Sequence, residues 1–293
     1  MKQFFADFSK LIKFRLTFMV VLSASISFLI GSKVQQMDGI IPGVNWGNWA
    51  LLIIGGFLVT AAANCFNEVI EVDLDKLMTR TKDRPMPAGH MTTGQGLVSG
   101  LVMGIIGTFI LGRLNIETGL LSVFSIFLYA FAYTPLKRKS PIAVFVGAIP
   151  GALPPLIGYV AAHGKIDNIA VILFLIQFVW QFPHFWAIAW VLDDDYKKAD
   201  FRLLPTTKRD KVSAAITFIS TLILIPVSLL PTFLGFGGYI VAGVSVVAGL
   251  IFAWFGYGLY AKMDMPDAKK LMFGSFFYLP LVQLMLLFDF IAQ

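Results

Sequence analysis

The sequence predicts an all-α polytopic membrane protein, and three observations carry that prediction. Hydrophobic residues make up 57% of the 293 residues, and the mean hydropathy is +0.79. Charged residues make up only 14%, whereas a soluble domain has roughly a quarter. Apolar stretches of about 20 residues, the length that crosses a bilayer as a helix, recur along the chain. We therefore expect a single transmembrane domain over residues 1–293, embedded in the lipid bilayer.

Hydropathy divides the chain into nine predicted spans. They lie near 16–34, 49–67, 96–114, 118–136, 141–162, 168–191, 213–232, 237–260 and 270–290. Prolines 183, 226 and 280 fall inside spans, where neighbouring helices can satisfy the backbone groups that they free. Gly151, Pro154 and Pro155 are expected to break or tighten the fifth span. An odd number of spans places the two termini on opposite sides of the membrane.

Lysine and arginine are unevenly divided between the two predicted faces. Of the 23, all but Lys33, Arg113 and Lys165 lie at the N-terminus or in the loops after spans 2, 4, 6 and 8. Because loops rich in these residues stay in the cytoplasm, we expect the N-terminus in the cytoplasm and the C-terminus outside. The net charge of +6 then reflects topology, and no nucleic-acid partner is expected.

The N-terminus and the cysteine content exclude several features. The start, MKQFFADFSKLIKFRLTF, lacks a short apolar core followed by a small-residue cleavage site, so no cleaved signal is expected. Cys65 is the single cysteine of the chain. A disulfide framework and a cysteine-based metal site are therefore excluded.

The acidic residues concentrate in two clusters at the ends of predicted spans on the lysine-rich face. One cluster runs from Glu68 to Asp83, after span 2, and the other from Asp193 to Asp200, after span 6. The distribution of lysine and arginine does not require acids there. A charged loop at a membrane surface is usually only solvated, but the spacing, the repetition and the shared face of these clusters favour a functional site.

The first cluster has the spacing of a metal site on a helix. If span 2 continues as a helix, Asn67, Glu71 and Asp75 lie one turn apart on one face, whereas Asp73 points elsewhere. Like charges at this spacing repel one another unless a cation lies between them. Mg²⁺ prefers such oxygen ligands and completes its octahedron with water and phosphate oxygens. The pattern therefore predicts a magnesium site.

Basic residues follow each acidic cluster. Arg80, Lys82 and Arg84 follow the first, and Lys197, Lys198 and Arg202 follow or adjoin the second. Arginine binds phosphate through two parallel hydrogen bonds. Acids for a metal and bases for a phosphate, both at a membrane surface, predict a phosphorylated substrate with an apolar part. The two clusters are expected to face each other across one diphosphate.

The stretch from Asn67 to Gly89, NEVIEVDLDKLMTRTKDRPMPAG, resembles the signature of the UbiA superfamily of intramembrane prenyltransferases. That signature is an Asn, an acid four residues on, an Asp four further, then Arg, Ser or Thr, Arg and Gly. YTPLKRKSP resembles the Tyr-x-x-x-Lys element of the family, with Tyr133 and Lys137 in its fixed positions. The resemblance covers almost the whole chain.

Further elements resemble the haem-farnesylating branch of that family. They are LIKFRLT with Lys13 and Arg15, GALPPLIGYVAAHG from Gly151, and WQFPHFWAIAWVLDDDYKKADFRLLP, which carries Gln181, Pro183, His184, Phe185, Trp186, Asp194, Asp195, Tyr196, Ala199, Leu204 and Pro205. Four positions depart from the branch: Glu71 for Asp, Phe14 for Pro, Asp193 for a base and Asp200 for Gly. The last two leave the register of the second acidic cluster open.

The resemblance implies nine helices around a central cavity, with both acidic motifs at its cytoplasmic mouth, in a bacterial inner membrane. It implies farnesyl diphosphate as donor, haem b as acceptor and Mg²⁺ between the motifs and the diphosphate. The implied metal ligands are Asn67, Glu71, Asp75, Asp194 and Asp195; Tyr133 is a catalytic helper; and Arg80, Arg84, Lys137, Lys13, Arg15, Lys198 and His184 bind substrate. Haem A synthase and oxidase assembly proteins are the candidate protein partners.

Two other functions compete with this interpretation. Another UbiA-type enzyme that prenylates an aromatic acid or a quinone precursor would share the metal and diphosphate site, and only QFPHFW and GALPPLIG separate the two. A cation-coupled transporter would also need intramembrane carboxylates. Transporters place them near mid-membrane and show internal repeats, whereas here the acids lie at span ends and no clear repeat is present.

Overall fold

The computed structural model describes residues 2–40 and 43–291, and this part of the chain is built from helices. The α-helices are α1 (Lys2–Leu11), α2 (Phe14–Met37), α3 (Trp46–Ile70), α4 (Val72–Asp75), α5 (Thr93–Gly112), α6 (Ile116–Phe127), α7 (Thr134–Leu136), α8 (Ala143–His163), α9 (Asn168–Lys198), α10 (Lys211–Phe233), α11 (Tyr239–Lys262) and α12 (Met265–Phe288). A π-helical segment, Leu128–Tyr133, joins α6 to α7.

Within the described residues, nine helical segments are long and apolar enough to cross a membrane, which confirms the predicted fold class. The fourth of them, Ile116–Leu136, comprises α6, the π-helical segment and α7. Two boundaries differ from the prediction by five residues or more. The sixth span continues to Lys198 instead of ending near 191, because the charged residues that end its apolar run do not end its helix. The ninth begins at Met265 instead of near 270.

The short helix α1 was not among the predicted spans because its 10 residues cannot cross a bilayer. It is an amphipathic helix whose buried side includes Leu11. That residue packs with Ile12, Cys65 and Phe66 in a small core at the end of α3. The Lys10 ammonium donates to the carbonyl of Asp83 (3.4 Å). This helix therefore covers the loop that follows α3 on the side of the acidic clusters.

Helix α8 is the most buried span and packs against α2, α6 and α9. It crosses α2 at two glycines, since a Cβ atom on Gly158 would lie 1.9 Å from the Ala24 carbonyl oxygen and one on Gly31 would lie 2.7 Å from that of Tyr159. Small residues let helix backbones approach closely in membranes, where packing replaces the hydrophobic effect as the driving force. These glycines bring α2 and α8 into direct backbone contact.

Helix α8 runs unbroken through Pro150, Pro154 and Pro155, so the expected break in the fifth span is not present. Pro155 has no N–H to donate to the Gly151 carbonyl, which therefore needs another donor. The side-chain amides of Gln177 and Gln181 on α9 donate to it at 2.7 Å and 2.9 Å. An unpaired carbonyl in the membrane interior costs several kcal/mol, so these two glutamines stabilise the proline-rich helix.

Because Gln177 and Gln181 share one acceptor, their substitutions are expected to have non-additive effects on stability. Gln177→Leu alone, or Gln181→Leu alone, leaves the Gly151 carbonyl with one donor. We expect the double variant to be less stable than the sum of the single effects by about 1–2 kcal/mol, because only then is a buried acceptor orphaned. A double-mutant cycle on thermal unfolding in detergent measures this term, and the other contacts of Gln177 cancel within the cycle. Additive effects would contradict the assignment.

Candidate active site

A cluster of buried polar side chains lies at the end of α3. Asn67, Glu68, Glu71 and Asp75 are at most 3% exposed. The helix is interrupted at Glu71, yet the Glu71 N–H donates to the Asn67 carbonyl (3.0 Å) and the Asp75 N–H to the Glu71 carbonyl (2.8 Å). The predicted one-turn spacing of Asn67, Glu71 and Asp75 is therefore preserved across the interruption. The Asn67 amide donates to Glu71 Oε2 (2.9 Å).

Three cations enclose this cluster. Arg84 Nη1 lies 2.6 Å from Asp75 Oδ2, and its Nε lies 3.5 Å from Glu68 Oε1. Lys137 pairs with Glu71, and the Lys13 ammonium donates to Asn67 Oδ1 (2.8 Å). Lys13 comes from the turn between α1 and α2, where its φ of 48° places it in the left-handed region. The first motif, the family's Lys137 and the N-terminal Lys13 thus form one site.

The pKa values of the two lysines are lowered, whereas the pKa of the arginine is raised. Burial lowers the pKa of Lys137, and burial together with the nearby Arg84 cation lowers the pKa of Lys13. Burial also disfavours the charged form of Arg84, but the Glu68 and Asp75 carboxylates outweigh it and raise the pKa of Arg84. Arg84 is therefore the permanent charge of the cluster.

Glu68 belongs to the cluster although the sequence analysis did not select it. It is fully buried and contacts Arg84, whereas Asp73 is 84% exposed and pairs with Lys76. The sequence did contain a signal, because Glu68, Glu71 and Asp75 follow the i, i+3, i+7 spacing of one helix face. Thr134 was also missed, and its hydroxyl accepts from the Asn67 amide (3.1 Å). It lies inside the YTPLK motif, next to Tyr133.

The oxygen atoms of the cluster fit a divalent cation. Glu68 Oε2 and Asp75 Oδ1 are buried and have neither a hydrogen bond nor an ion pair in the described part of the chain. A buried carboxylate oxygen without a partner is costly, so such atoms indicate where a cation or a polar ligand would bind. Carboxylate and amide oxygens are the donors that Mg²⁺ prefers.

The second acidic cluster does not form one ligand set with the first. Among the residues that the structure describes, no group of three or more His, Cys, Asp or Glu side chains is arranged to hold a metal ion. This finding includes Glu68, Glu71 and Asp75 of the first cluster. In the second cluster, α9 remains helical to Lys198, so Asp193, Asp194 and Asp195 point in directions about 100° apart. Asp194 is 75% exposed and pairs with Arg209, whereas Asp193 is buried and pairs with Lys197.

Asp195 connects the two clusters through the backbone. Its carboxylate accepts from the N–H groups of Thr79 (2.7 Å) and Arg80 (3.0 Å). Lys198 donates to the Thr79 hydroxyl (2.6 Å) and to Asp195 (2.9 Å). These residues and Asp194 line a groove of about 400 Å³ beside the loop after α4. The second acidic cluster therefore contacts the loop of the first through Asp195, which holds that loop and does not lie among the metal-ligand candidates.

Removing this fastening is expected to loosen the loop. In Asp195→Ala, the N–H groups of Thr79 and Arg80 lose their charged acceptor, so their hydrogen exchange is expected to accelerate roughly tenfold or more. Asp194→Ala is the matched control, because the neighbouring carboxylate contacts Arg209 and not the loop. Hydrogen–deuterium exchange of a peptide covering 76–82 measures the difference. Equal exchange in the two variants would show that Asp195 does not hold the loop.

Of three other predicted site residues, Tyr133 is buried, whereas Arg80 and Arg15 are exposed. Tyr133 is buried at the end of the π-helical segment, with the Lys137 ammonium 5.1 Å from its ring centre. The Arg80 side chain is exposed beside the groove, although its backbone contacts Asp195. Arg15 is exposed on the outside of α2 and is not part of the cluster, since the turn at Lys13 directs only Lys13 inward. The role of Arg15 in substrate binding stays a prediction, and the structure places Arg15 apart from Lys13.

His184 lies between α9 and α12. Its Nδ1 contacts the Ser275 hydroxyl (2.8 Å), and its ring stacks on Trp180 with centroids 4.2 Å apart. The other ring nitrogen makes no hydrogen bond to any described residue. The next residue, Phe185, has its ring centre 6.1 Å from that of Tyr133. The turn of α9 that carries His184 therefore borders the π-helical segment of the site.

Buried acids, an amide and cations at the end of membrane spans define an intramembrane enzyme that handles a charged head group on an apolar substrate. The sequence model of the UbiA prenyltransferase family matches residues 41–279 of the chain. The chain belongs to that family and is an integral membrane protein.

Curated relatives extend over nearly the whole chain. The chain is 44% identical to the "Protoheme IX farnesyltransferase" of Cytophaga hutchinsonii over 287 residues, which is 97% of this chain and 98% of the relative. It is 40% identical to the protein of the same name from Christiangramia forsetii, over 97% of this chain and 93% of the relative. Both identities are high enough to place the chain beside these relatives within the family.

Solved structures share the fold at low sequence identity. One is described as a digeranylgeranylglyceryl phosphate synthase, with a TM-score of 0.80, 19% identity and 99% of both chains covered. Another is a UbiA homolog from Archaeoglobus fulgidus bound to GPP and Mg²⁺, with a TM-score of 0.71, 11% identity and 96% and 99% of the two chains covered. These likenesses show that the chain has the fold of these proteins.

Proposed function

We propose that this protein transfers the farnesyl group of farnesyl diphosphate to a vinyl group of protohaem IX (haem b), which yields haem O for haem–copper oxidases. The observation that carries the proposal is the full-length similarity to protoheme IX farnesyltransferases together with the buried cluster at the end of α3. That cluster supplies the charges that a diphosphate needs, and the QFPHFW segment on α9 borders it.

The diphosphate end of the donor is assigned to the cations of the cluster. Arg84, Lys13 and Lys137 meet around Asn67 and the three carboxylates, so positive charge is already in place where the leaving diphosphate develops its charge. Preorganised charges in a water-poor site stabilise a developing anion without the cost of reorientation. The farnesyl chain extends from this end between apolar spans, where water has little access to the allylic carbon.

Glu68, Glu71 and Asp75, with Asn67, are the residues proposed to hold Mg²⁺. Their side chains would have to rearrange to do so, because as they lie they do not form a group of three that could hold a metal ion. When bound there, a divalent cation supplies Lewis-acid neutralisation of the diphosphate oxygens. Arg84 contacts Asp75 and Glu68 and keeps both carboxylates oriented. Asp194 and Asp195 are the other two ligands that the family pattern suggests. Asp194 pairs with Arg209, and Asp195 reaches this group only by releasing the N–H groups of Thr79 and Arg80.

The reaction breaks the C1–O bond of the donor, and the diphosphate leaves with the electron pair. A carbon–carbon bond forms between C1 and the terminal vinyl carbon, a water oxygen adds to the other vinyl carbon, and a proton is released. Tyr133 lies beside Lys137 at this end of the site and is proposed to assist catalysis. His184 has one nitrogen held by Ser275, so the other is oriented to contact the acceptor, including its iron.

The site is assigned to the cytoplasmic face of a bacterial inner membrane. Support comes from the lysine and arginine distribution, which places the N-terminus in the cytoplasm and the C-terminus outside. Haem b in the bilayer can then approach from the side of the spans. Haem A synthase and oxidase assembly proteins are the proposed partners on the product side.

A reconstitution assay tests the function. Purified protein in detergent with Mg²⁺, farnesyl diphosphate and haem b is expected to produce a haem whose mass is greater by the hydroxyfarnesyl group, measured by liquid chromatography and mass spectrometry. Omitting Mg²⁺ and adding a chelator is expected to abolish the product. If haem is unchanged while an aromatic acid or a quinone precursor is prenylated, the chain belongs to a different branch of its family and the proposal fails.

A further inference from the structure

A groove between α11 and α12 lies on the lipid-facing surface, away from the candidate active site. Its lining residues are Phe255, Pro266, Lys269, Lys270, Phe273, Gly274 and Phe277, and its volume is about 440 Å³. The walls are aromatic, since Phe273 and Phe277 are 54% and 75% exposed. Gly274 forms the floor, because it has no side chain to fill the space between them. The dimensions are in the range of ligand sites in proteins.

The two lysines lie at one end of this groove. Lys269 and Lys270 occupy the first turns of α12, which begins at Met265, so they lie at the membrane surface while the phenylalanines extend into the bilayer. The surface is that of the candidate site, since Lys211, at the start of α10, donates to the carbonyl of Tyr260 near the end of α11 (2.6 Å). A polar end at the surface and an apolar length in the bilayer match the shape of one phospholipid.

The charge at the polar end is not neutralised within the protein. The buried carboxylate of Asp267 pairs with both Lys262 and Lys270, at 2.8 Å each. Lys269 has no ion-pair partner among the described residues, and Asp264 uses its side chain to cap the start of α12. The end of the groove therefore presents the ammonium of Lys269, which has no ion pair with a described residue, beside that of Lys270, which shares Asp267 with Lys262. This arrangement attracts an anion and gives no binding advantage to a zwitterionic head group.

We propose that this groove binds one anionic phospholipid, with its phosphate on Lys269 and Lys270 and one acyl chain between Phe273 and Phe277. Basic pockets between transmembrane helices select anionic head groups, and each lysine near the surface contributes a modest attraction. An acyl chain in the groove contacts aromatic rings on both sides, whereas a lipid on a flat part of the surface would contact the protein on one side. The site is separate from the one that binds the substrates.

Native mass spectrometry of the purified full-length protein tests the proposal, with dioleoyl phosphatidylglycerol and dioleoyl phosphatidylcholine as probes. The wild type is expected to bind one phosphatidylglycerol at least fivefold more tightly than phosphatidylcholine. Lys269→Ala is expected to reduce that preference several-fold, Lys269→Glu to abolish it, and Lys269→Arg to keep it. Lys208→Ala is the matched control, because Lys208 is an exposed lysine on the same face and lies outside the groove.

Several outcomes would overturn the proposal. Equal binding of the two lipids by the wild type would do so, as would an equal loss in Lys208→Ala, which would show general attraction to a positive surface. Displacement of phosphatidylglycerol by glycerol 3-phosphate at the same concentration would show that only the phosphate is bound. A dimer mass without bound lipid would assign the groove to a second copy of the chain.

Phe277→Ala, which weakens the wall and leaves the lysines, is expected to lower the affinity for both lipids.

Discussion

Replacing Asp75 by asparagine is expected to lower kcat/KM for farnesyl diphosphate by roughly 10²–10³-fold. Asp75 is fully buried, its Oδ2 contacts Arg84, and its Oδ1 has no partner in the described part of the chain. Asparagine keeps the volume but removes the charge that pairs with Arg84 and that is proposed to bind a metal ion. Steady-state kinetics with haem b as acceptor measures the loss.

Asp73→Asn is the matched control for this variant. Asp73 lies two residues away and carries the same charge, but it is 84% exposed and pairs with the exposed Lys76. Its replacement is expected to change kcat/KM less than twofold. Mn²⁺ binding measured by electron paramagnetic resonance gives a readout that does not depend on turnover. Unchanged turnover of Asp75→Asn at limiting Mg²⁺ would remove Asp75 from the metal site.

Gly158→Ala is expected to cause the largest loss of stability from a single methyl group. The new Cβ would lie 1.9 Å from the Ala24 carbonyl oxygen, which is backbone and cannot rotate away. Helices α2 and α8 would have to separate along their crossing, and their close packing would be lost. We expect a destabilisation of about 2–3 kcal/mol. Thermal unfolding in detergent, followed by size-exclusion chromatography or intrinsic fluorescence, measures it.

The control for that substitution is Gly243→Ala. Gly243 also lies inside a transmembrane helix, α11, but a Cβ atom there would have no neighbour within 4 Å. Alanine is the better helix former by about 1 kcal/mol, so this variant is expected to be as stable as the wild type or slightly more stable. Equal destabilisation by the two substitutions would contradict the assignment of Gly158 to a close helix crossing.

Hydropathy predicted the fold class well because a bilayer-spanning helix is determined by its own composition. Each of the nine spans satisfies its backbone hydrogen bonds internally and needs only enough apolar residues to cross the membrane. The ends were less accurate because charge stops an apolar run without stopping a helix, as α9 shows by continuing to Lys198. Helix α1 was missed because it is too short to span and becomes stable only by packing on α3.

The spacing in the sequence placed Asn67, Glu71 and Asp75 on one side of the chain, and the family pattern added Lys13 and Lys137. The structure brings these residues together at the end of α3. The same reasoning did not separate Asp194 from Asp195, because adjacent residues on a helix differ by about 100° and only the neighbouring elements decide which one faces the loop.

The sequence by itself determined a nine-span membrane protein, the positions of its two charged clusters and the chemistry that such clusters serve. Those properties depend on composition and on spacing within one helix, which are local. The tertiary structure alone decided that Glu68 is buried with Arg84, that Arg15 points outward and that Gln177 and Gln181 serve the Gly151 carbonyl. These outcomes depend on which helix packs against which, so contacts between residues far apart in the chain determine them.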